Sequence, residues 1–238
     1  SRSIFPSNYA YECLRNLEKG LKIVGGVAIA DYKKDNFEAK LCRNLMNSSY
    51  VFGYPKYRDP NFEGYANSVY LGAFDSALLK QIKYRTDISI ISEDSLIAQD
   101  FISHGYKPYI AKGIKPKYSV RKKLISIFKL FNTYGFARAN SIISTKSFHA
   151  KKKFIILSSL MFLSFISFFV FSIKKTLFLI YVFILIFNFI GELFFTKNKP
   201  NFLVCILACI CQTLWVLGFL RGLIFFNSTK SKLSNFIK

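Results

Sequence analysis

Apolar and polar positions interleave along residues 1–150 and then separate into blocks. Three uninterrupted apolar runs follow, at 154–173, 176–195 and 202–220. Each has the roughly 20 residues that a helix rising about 1.5 Å per residue needs to cross the hydrocarbon core of a bilayer. None carries a charge in its middle, Glu192 standing near the end of the second. Buried helices of a large globule would give the same runs, but too little polar chain remains to wrap them. Their C-terminal position excludes a signal peptide. The pattern therefore predicts a transmembrane region over 151–238 with about three spans.

In the interleaved part, 21–30 (LKIVGGVAIA) reads as one buried strand interrupted by Gly25 and Gly26. Paired glycines inside a strand mark a bulge or a close approach to the backbone. Residues 36–46 have a helical pattern, and 50–64, rich in Tyr, Pro and Gly, reads as a loop. A second strand is expected at 68–74 (SVYLGAF), a helix at 75–82 and a strand at 87–91. A helix from Ser92 to about His104, ended by Gly105, and a strand at 106–111 complete the series. Such alternation predicts an α/β layer arrangement. From Arg121 onward Leu124, Ile127, Phe128, Phe131 and Tyr134 recur at helical spacing among basic residues. That is the pattern of a basic amphipathic helix lying in the membrane interface, placed at 119–150. A helix packed on the domain's own core is the alternative.

Composition sharpens the division. The chain is 52% hydrophobic with 27 Phe, yet its formal net charge is +21. Residues 1–150 hold 23 Lys/Arg and 12 Asp/Glu, whereas 151–238 hold 11 Lys/Arg and a single acid. Between Phe101 and Lys153 there are 13 basic residues and no acid, leading directly into the first run. Basic flanks of this kind are retained on the cytoplasmic side and attract anionic headgroups. No nucleic-acid recognition module accompanies the charge. The expected surface partner is an anionic membrane and not nucleic acid, with the soluble region cytoplasmic at the inner membrane. Three spans would then put 174–175 outside, 197–199 inside and the tail from Asn227 outside. The five cysteines show no zinc-site spacing.

No phosphate-cradling glycine loop or zincin motif is present. The strongest local constellation is Ser92-Glu93-Asp94 at an expected strand-to-helix junction. Ser92 can cap that helix, and carboxylates suit the positive end of its dipole. An aspartate there is also well placed to act as a general base on a hydroxyl.

The order of motifs adds to this. Arg2-Ser3, Pro6 with Tyr9, Val24-Gly25-Gly26, Tyr70-Leu71-Gly72-Ala73-Phe74, Glu93-Asp94, Gly105-Tyr106 and Tyr134-Gly135 with Arg138 follow one another, and then come the spans. This succession resembles the second half of a family 2 glycosyltransferase. The likeness is to membrane-anchored enzymes of the succinoglycan and exopolysaccharide type, and it covers about residues 1–140 and the C-terminal spans. It implies the acceptor half of a GT-A-like α/β domain at 1–118.

The resemblance further implies that Asp94 is the general base for the acceptor hydroxyl and that Glu93 orients it. Gly72, Ala73 and Phe74 would line the acceptor and donor-sugar side, Arg2 could meet donor phosphate, and Arg138 would stand on the interface helix. The donor would be a nucleotide sugar, the acceptor a lipid-linked or other membrane-associated glycan, and the cofactor a divalent cation, Mg2+ or Mn2+. The family's Gln-x-x-Arg-Trp motif is absent, which weighs against a processive synthase. The metal-binding aspartate would lie upstream of Ser1, so no metal ligand is assigned in the chain. The residues given are expected to be an N-terminally truncated form, inactive alone. A non-enzymatic membrane-anchored scaffold or a transport subunit remains the alternative.

Overall fold

The computed structural model describes residues 3–31, 36–48, 50–52, 55–82, 93–145, 186 and 202–234. The chain divides into two compact units, one formed by 1–49 and 54–122 and the other by 50–53 and 123–238.

The first unit is a mixed α/β layer structure. Its strands are β1 (Ser3–Ile4), β2 (Ile23–Gly26), β3 (Ile29–Asp31), β4 (Gly64–Tyr65), β5 (Tyr70–Phe74), β6 (Tyr109–Ile110) and β7 (Lys117–Ser119). Its helices are α1 (Tyr9–Glu18), α2 (Phe37–Asn47), α3 (Ser76–Ile82) and α4 (Glu93–Ser103). One sheet has the order β4-β6-β2-β5, the other β1-β7-β3. In the first, β2 runs parallel to β6 and antiparallel to β5.

Successive side chains of a strand point to opposite faces, and β2 shows what that does here. Ile23 joins Val27, Val69, Phe101 and Ile110 in one buried cluster, against which Leu78 and Leu79 of α3 and Ile97 of α4 pack. Val24 joins Cys13, Ala111 and Ile114 in another, against which Tyr9 and Leu17 of α1 pack. The sheet is thus covered by α1 on one face and by α3 and α4 on the other.

The residues 21–30 form two strands, not the single one expected. The chain leaves the first sheet after Gly26 and enters the second at Ile29, where β3 pairs in parallel with β7. The helix expected at 36–46 is α2, started by the Asn36 side chain, which accepts from Ala39 N–H (2.7 Å). At its other end the Asn47 amide accepts from Ala30 N–H and donates to Ala30 C=O (2.8 and 3.0 Å), docking α2 beside β3. The expected loop at 50–64 contains two short 3-10 turns, Tyr50–Phe52 and Lys56–Arg58. Asp75 starts α3 by accepting from Ala77 and Leu78 N–H and pairs with Lys22 at 2.7 Å. Gly105 ends α4 at φ +89°, a left-handed conformation that glycine adopts without strain. The strand expected at 87–91 lies outside the described residues.

The second unit contains α5 (Leu124–Thr145) and α6 (Phe202–Ser234). Within α6 the 24 residues Phe202–Phe225 are long and apolar enough to cross a membrane, the one such helix among the described residues where three were expected. The runs at 154–173 and 176–195 lie outside the described residues, Ile186 excepted. All five cysteines are free and buried, three of them on α6.

The helices α5 and α6 pack at backbone distance. A Cβ on Gly135 would meet the Trp215 carbonyl, and one on Gly218 would meet the Asn132 carbonyl. On Gly222 it would stand 2.7 Å from Ala139 Cβ and 2.9 Å from the Phe136 carbonyl oxygen. The Asn132 amide donates to Leu214 C=O at 3.1 Å. Small residues four apart on both helices, Gly135 with Ala139 and Gly218 with Gly222, make this approach possible.

Candidate functional site

The stretch Tyr70–Phe74 is where the chain departs furthest from regular structure. Val24 pairs with Ala73 but Gly26 with Tyr70, so β5 carries one residue more than β2 between those pairs. The extra residue makes a bulge at Leu71–Gly72. Leu71 is the one non-glycine residue with positive φ (49°) among the described residues, a conformation that costs an ordinary side chain about 1–2 kcal/mol. Bulges and strained backbone concentrate beside functional sites, where they re-aim a side chain.

Tyr9 of α1 holds the bulge. Its hydroxyl donates to the Leu71 carbonyl at 2.8 Å, and its ring meets Phe5 edge-on with centroids 4.8 Å apart. Burial, and then the neighbouring Cys13, push the Tyr9 phenol well above its ordinary pKa, so it stays protonated and donates. Gly25 of β2 makes room from the other side. A Cβ there would lie 2.7 Å from Val69 Cβ and 2.9 Å from the Tyr70 carbonyl oxygen.

These contacts predict an inverted substitution order. Leu71→Gly should be more stable than Leu71→Ala by about 1 kcal/mol, because glycine relieves the positive φ. In an unstrained strand the order is the opposite. Urea unfolding of the two variants measures it, and an Ala variant more stable than Gly would show that Leu71 is not strained.

Tyr70 carries the stretch toward the second sheet. Its hydroxyl shares a hydrogen bond with Ser3 Oγ at 2.9 Å, and its ring lies 5.7 Å from that of Tyr118. Arg58 donates to the Tyr118 hydroxyl (2.6 Å) and to the Met46 carbonyl (2.9 Å). Its guanidinium also sits over the rings of Tyr57 and Tyr118, 5.5 and 5.3 Å from their centroids. Burial alone would weaken the charge on Arg58, but the two tyrosine oxygens more than offset it and hold its pKa up. Burial raises the Tyr118 phenol, against the opposing pull of Arg58. The result is a buried cationic and aromatic cluster at the edge leading from Ser3 to the bulge, in which Arg58 is held by its own tyrosine and carbonyl partners.

The residues expected from sequence are placed as follows. Gly72 lies in the bulge, where a Cβ would come within 3.1 Å of Phe74 and Val69 side-chain atoms. Ala73 turns toward the cluster under α1. Phe74 turns the other way and packs on Phe101 of α4, ring centroids 5.4 Å apart. Glu93 and Asp94 form the first turn of α4. Ser92 and Arg2 lie outside the described residues. Arg138 is partly buried on α5, in the second unit.

Arg58 and Tyr118 were not expected from sequence, and Tyr9 and Tyr70 stood in the motif succession with no role assigned. The signal that could have found them is the tyrosine-rich composition of 50–70 beside a lone arginine, together with the Tyr9 that opens α1. Among the described residues, no three His, Cys, Asp or Glu side chains converge into a set able to hold a metal ion.

Comparison of the chain with protein-family models, with curated proteins and with solved structures gave no match.

Proposed function

We propose that this protein is a membrane-anchored glycosyltransferase that moves a sugar from a nucleotide-diphosphate donor to a hydroxyl of a lipid-linked or other membrane-associated glycan. The observation that carries this reading is the packing of Phe74 on Phe101. Two short motifs, YLGAF and Glu93-Asp94, mean little separately. That contact fastens the strained strand bearing Gly72 and Ala73 to the helix whose first turn is Glu93-Asp94, about 10 Å and two turns upstream of Phe101.

In this reaction the acceptor hydroxyl oxygen forms a bond to the anomeric carbon as the bond from that carbon to the diphosphate oxygen breaks. The diphosphate leaves with the electron pair, and the hydroxyl proton passes to the Asp94 carboxylate. One displacement inverts the anomeric configuration. Glu93 orients its neighbour, Gly72 and Ala73 shape the acceptor and donor-sugar side, and Arg2 meets donor phosphate. The carboxylates described here do not converge on a site for the Mg2+ or Mn2+ that the sequence resemblance implies, and no step above runs through a metal. The acid-free basic stretch 101–153 and the apolar helix α6 support a place at the cytoplasmic face of the inner membrane, beside anionic lipid.

The test is transfer itself. Membranes from cells expressing the protein from its own gene are incubated with a panel of radiolabelled nucleotide sugars. The expected result is donor-specific incorporation into material extracted with organic solvent or precipitated as glycan, absent from vector controls. Equal incorporation in both membranes for every donor would favour a non-enzymatic scaffold or transport subunit.

A further inference from the structure

We propose that α6 does not cross the bilayer: α5 and α6 form one parallel pair set into the cytoplasmic leaflet, with acyl chains covering the outward stripe of α6 and anionic headgroups holding both of its ends. The inference does not depend on the glycosyltransferase reading. It replaces the third expected span by a helix that stays on the side where α5 lies.

The register ties the two helices together. Asn132 meets Leu214 and Gly218, Gly135 meets Trp215 and Phe219, and Ala139 meets Gly222. Residue numbers rise together, so the helices run parallel, and the close approach extends over Asn132–Ala139, about two turns of α5. Whatever plane α5 takes, α6 follows it to within their crossing angle. Charge fixes that plane. Arg121, Lys122 and Lys123 precede α5, Lys146 and Lys151–Lys153 follow it, and no acid stands between Phe101 and Lys153. Basic clusters at both ends keep both ends in the cytoplasm, so α5 lies along the membrane surface. Close pairs built on small residues cross at about 40°, which leaves α6 at least about 50° from the bilayer normal. At that tilt its 24-residue apolar segment rises only about 23 Å, short of a hydrocarbon core of about 30 Å.

The ends of α6 carry the same charge pattern. Lys197 and Lys199 precede it, Lys230, Lys232 and Lys238 stand at its end and beyond, and no acid follows Glu192. Such clusters are retained in the cytoplasm, and a crossing would export one of them. Parity agrees. Between the two helices the sequence holds two span-length apolar runs, 154–173 and 176–195, and two crossings return a chain to the side it left. The apolarity of α6 has another use: 61% of its most apolar stretch is buried inside the protein. Cys205, Cys209, Trp215 and Val216 are buried there, and the polar Gln212 and Thr213 with them. The outward apolar side chains centre on Leu203, Ile210, Leu217 and Ile224, seven residues apart and hence in one stripe along the helix. One apolar stripe between basic ends fits acyl chains and anionic headgroups at the interface, which identifies lipid as its cover.

Asn201→Cys and Ser231→Cys, at the two ends of α6 in the full chain, test this with a membrane-impermeant maleimide applied to right-side-out and inverted membrane vesicles. Lys123→Cys marks the face of α5. The five natural cysteines are buried, and the parent chain measures their background. The expected result is that all three variants label in inverted vesicles only. If Asn201→Cys and Ser231→Cys label from opposite faces, α6 crosses and the proposal fails. It fails equally if both label from the face opposite Lys123→Cys. Depth gives a second readout. Nitroxides attached at Leu203→Cys, Leu217→Cys and Ile224→Cys, in vesicles of phosphatidylglycerol and phosphatidylethanolamine, should all sit on one side of the bilayer midplane, about 5–10 Å below the headgroups. A stripe that runs from one leaflet through the midplane into the other, about 10 Å deeper every seven residues, would overturn the proposal.

Discussion

Asp94→Asn is expected to lower sugar transfer by about a hundredfold or more and to leave the fold intact. Removing a general base costs about 10²–10⁴ in rate, roughly 3–5 kcal/mol of barrier, because the hydroxyl must then attack with its proton in place. The stability cost should be small. Asparagine in the first turn of α4 gives up only the interaction of a carboxylate with the helix dipole, about 0.3–1 kcal/mol. The helix is held further along by Ala98 and Phe101, both buried, with Ile97 packed on the same cluster. Glu93→Gln should lose less rate if Glu93 only orients its neighbour. If the two carboxylates served only to start the helix, both variants would shift stability slightly and transfer at wild-type rates. Turnover at saturating donor and thermal unfolding of the natural protein carrying each substitution separate these outcomes. Retention of more than about a third of wild-type turnover by Asp94→Asn, against the hundredfold loss expected of a base, would remove it from the catalytic role.

How much of this could be read in the sequence varied with the range of the interactions involved. Local signals worked. Asn36 capping α2, Asp75 starting α3 and Gly105 ending α4 are decided within a turn of chain, so residue type and position suffice. The break between β2 and β3 was hidden because Ile23, Val24, Val27, Ala28 and Ala30 are all buried. A continuous apolar run has no period to show where a strand changes sheets. The helix α1 was blurred by Tyr11 and Leu14, exposed apolar residues that disguise the inward stripe of buried Cys13 and half-buried Tyr9 and Leu17. Strand β7 is three residues long with Lys117 and Ser119 exposed, and nothing apolar marks it.

The site was legible only where its parts are contiguous. YLGAF was visible as a strand, but not the bulge in it, which is fixed by pairing with β2 and by Tyr9, 62 residues from Leu71. Arg58 finds its partners 12 and 60 residues away, beyond any window that a pattern can use. The pairing of α5 with α6 is a different case. Its Gly-x-x-x-Ala and Gly-x-x-x-Gly spacings stand in the sequence and report helix contact, but which helix each would meet is not written in either segment alone.

The glycine pair in β2 supports the second large effect, that Gly26→Ala destabilises the α/β unit by about 3 kcal/mol, the upper end of what overpacking a core costs. A Cβ at Gly26 would run into the Ile114 backbone, its carbonyl oxygen first and its carbonyl carbon at 2.8 Å. That carbonyl cannot retreat freely, because it also accepts from Val27 N–H at 3.2 Å. On the neighbouring residue, the Gly25 carbonyl accepts from Ala111 N–H at 3.0 Å, so the chain is pinned to the 111–114 turn on both sides. Relief would require moving β2, the central strand that pairs with both β5 and β6, and would disturb the register at Leu71. Gly20 supplies the control. It has φ +92° and open space around its Cβ position, so Gly20→Ala carries only the conformational cost, about 1–2 kcal/mol. Against a total stability of about 5–15 kcal/mol for a typical domain, the Gly26 variant should unfold at clearly lower urea and lose protease resistance across residues 3–122. Measured side by side in the solubilised full chain, a Gly26→Ala variant that unfolds at higher urea than Gly20→Ala would show that β2 is not pinned in this way.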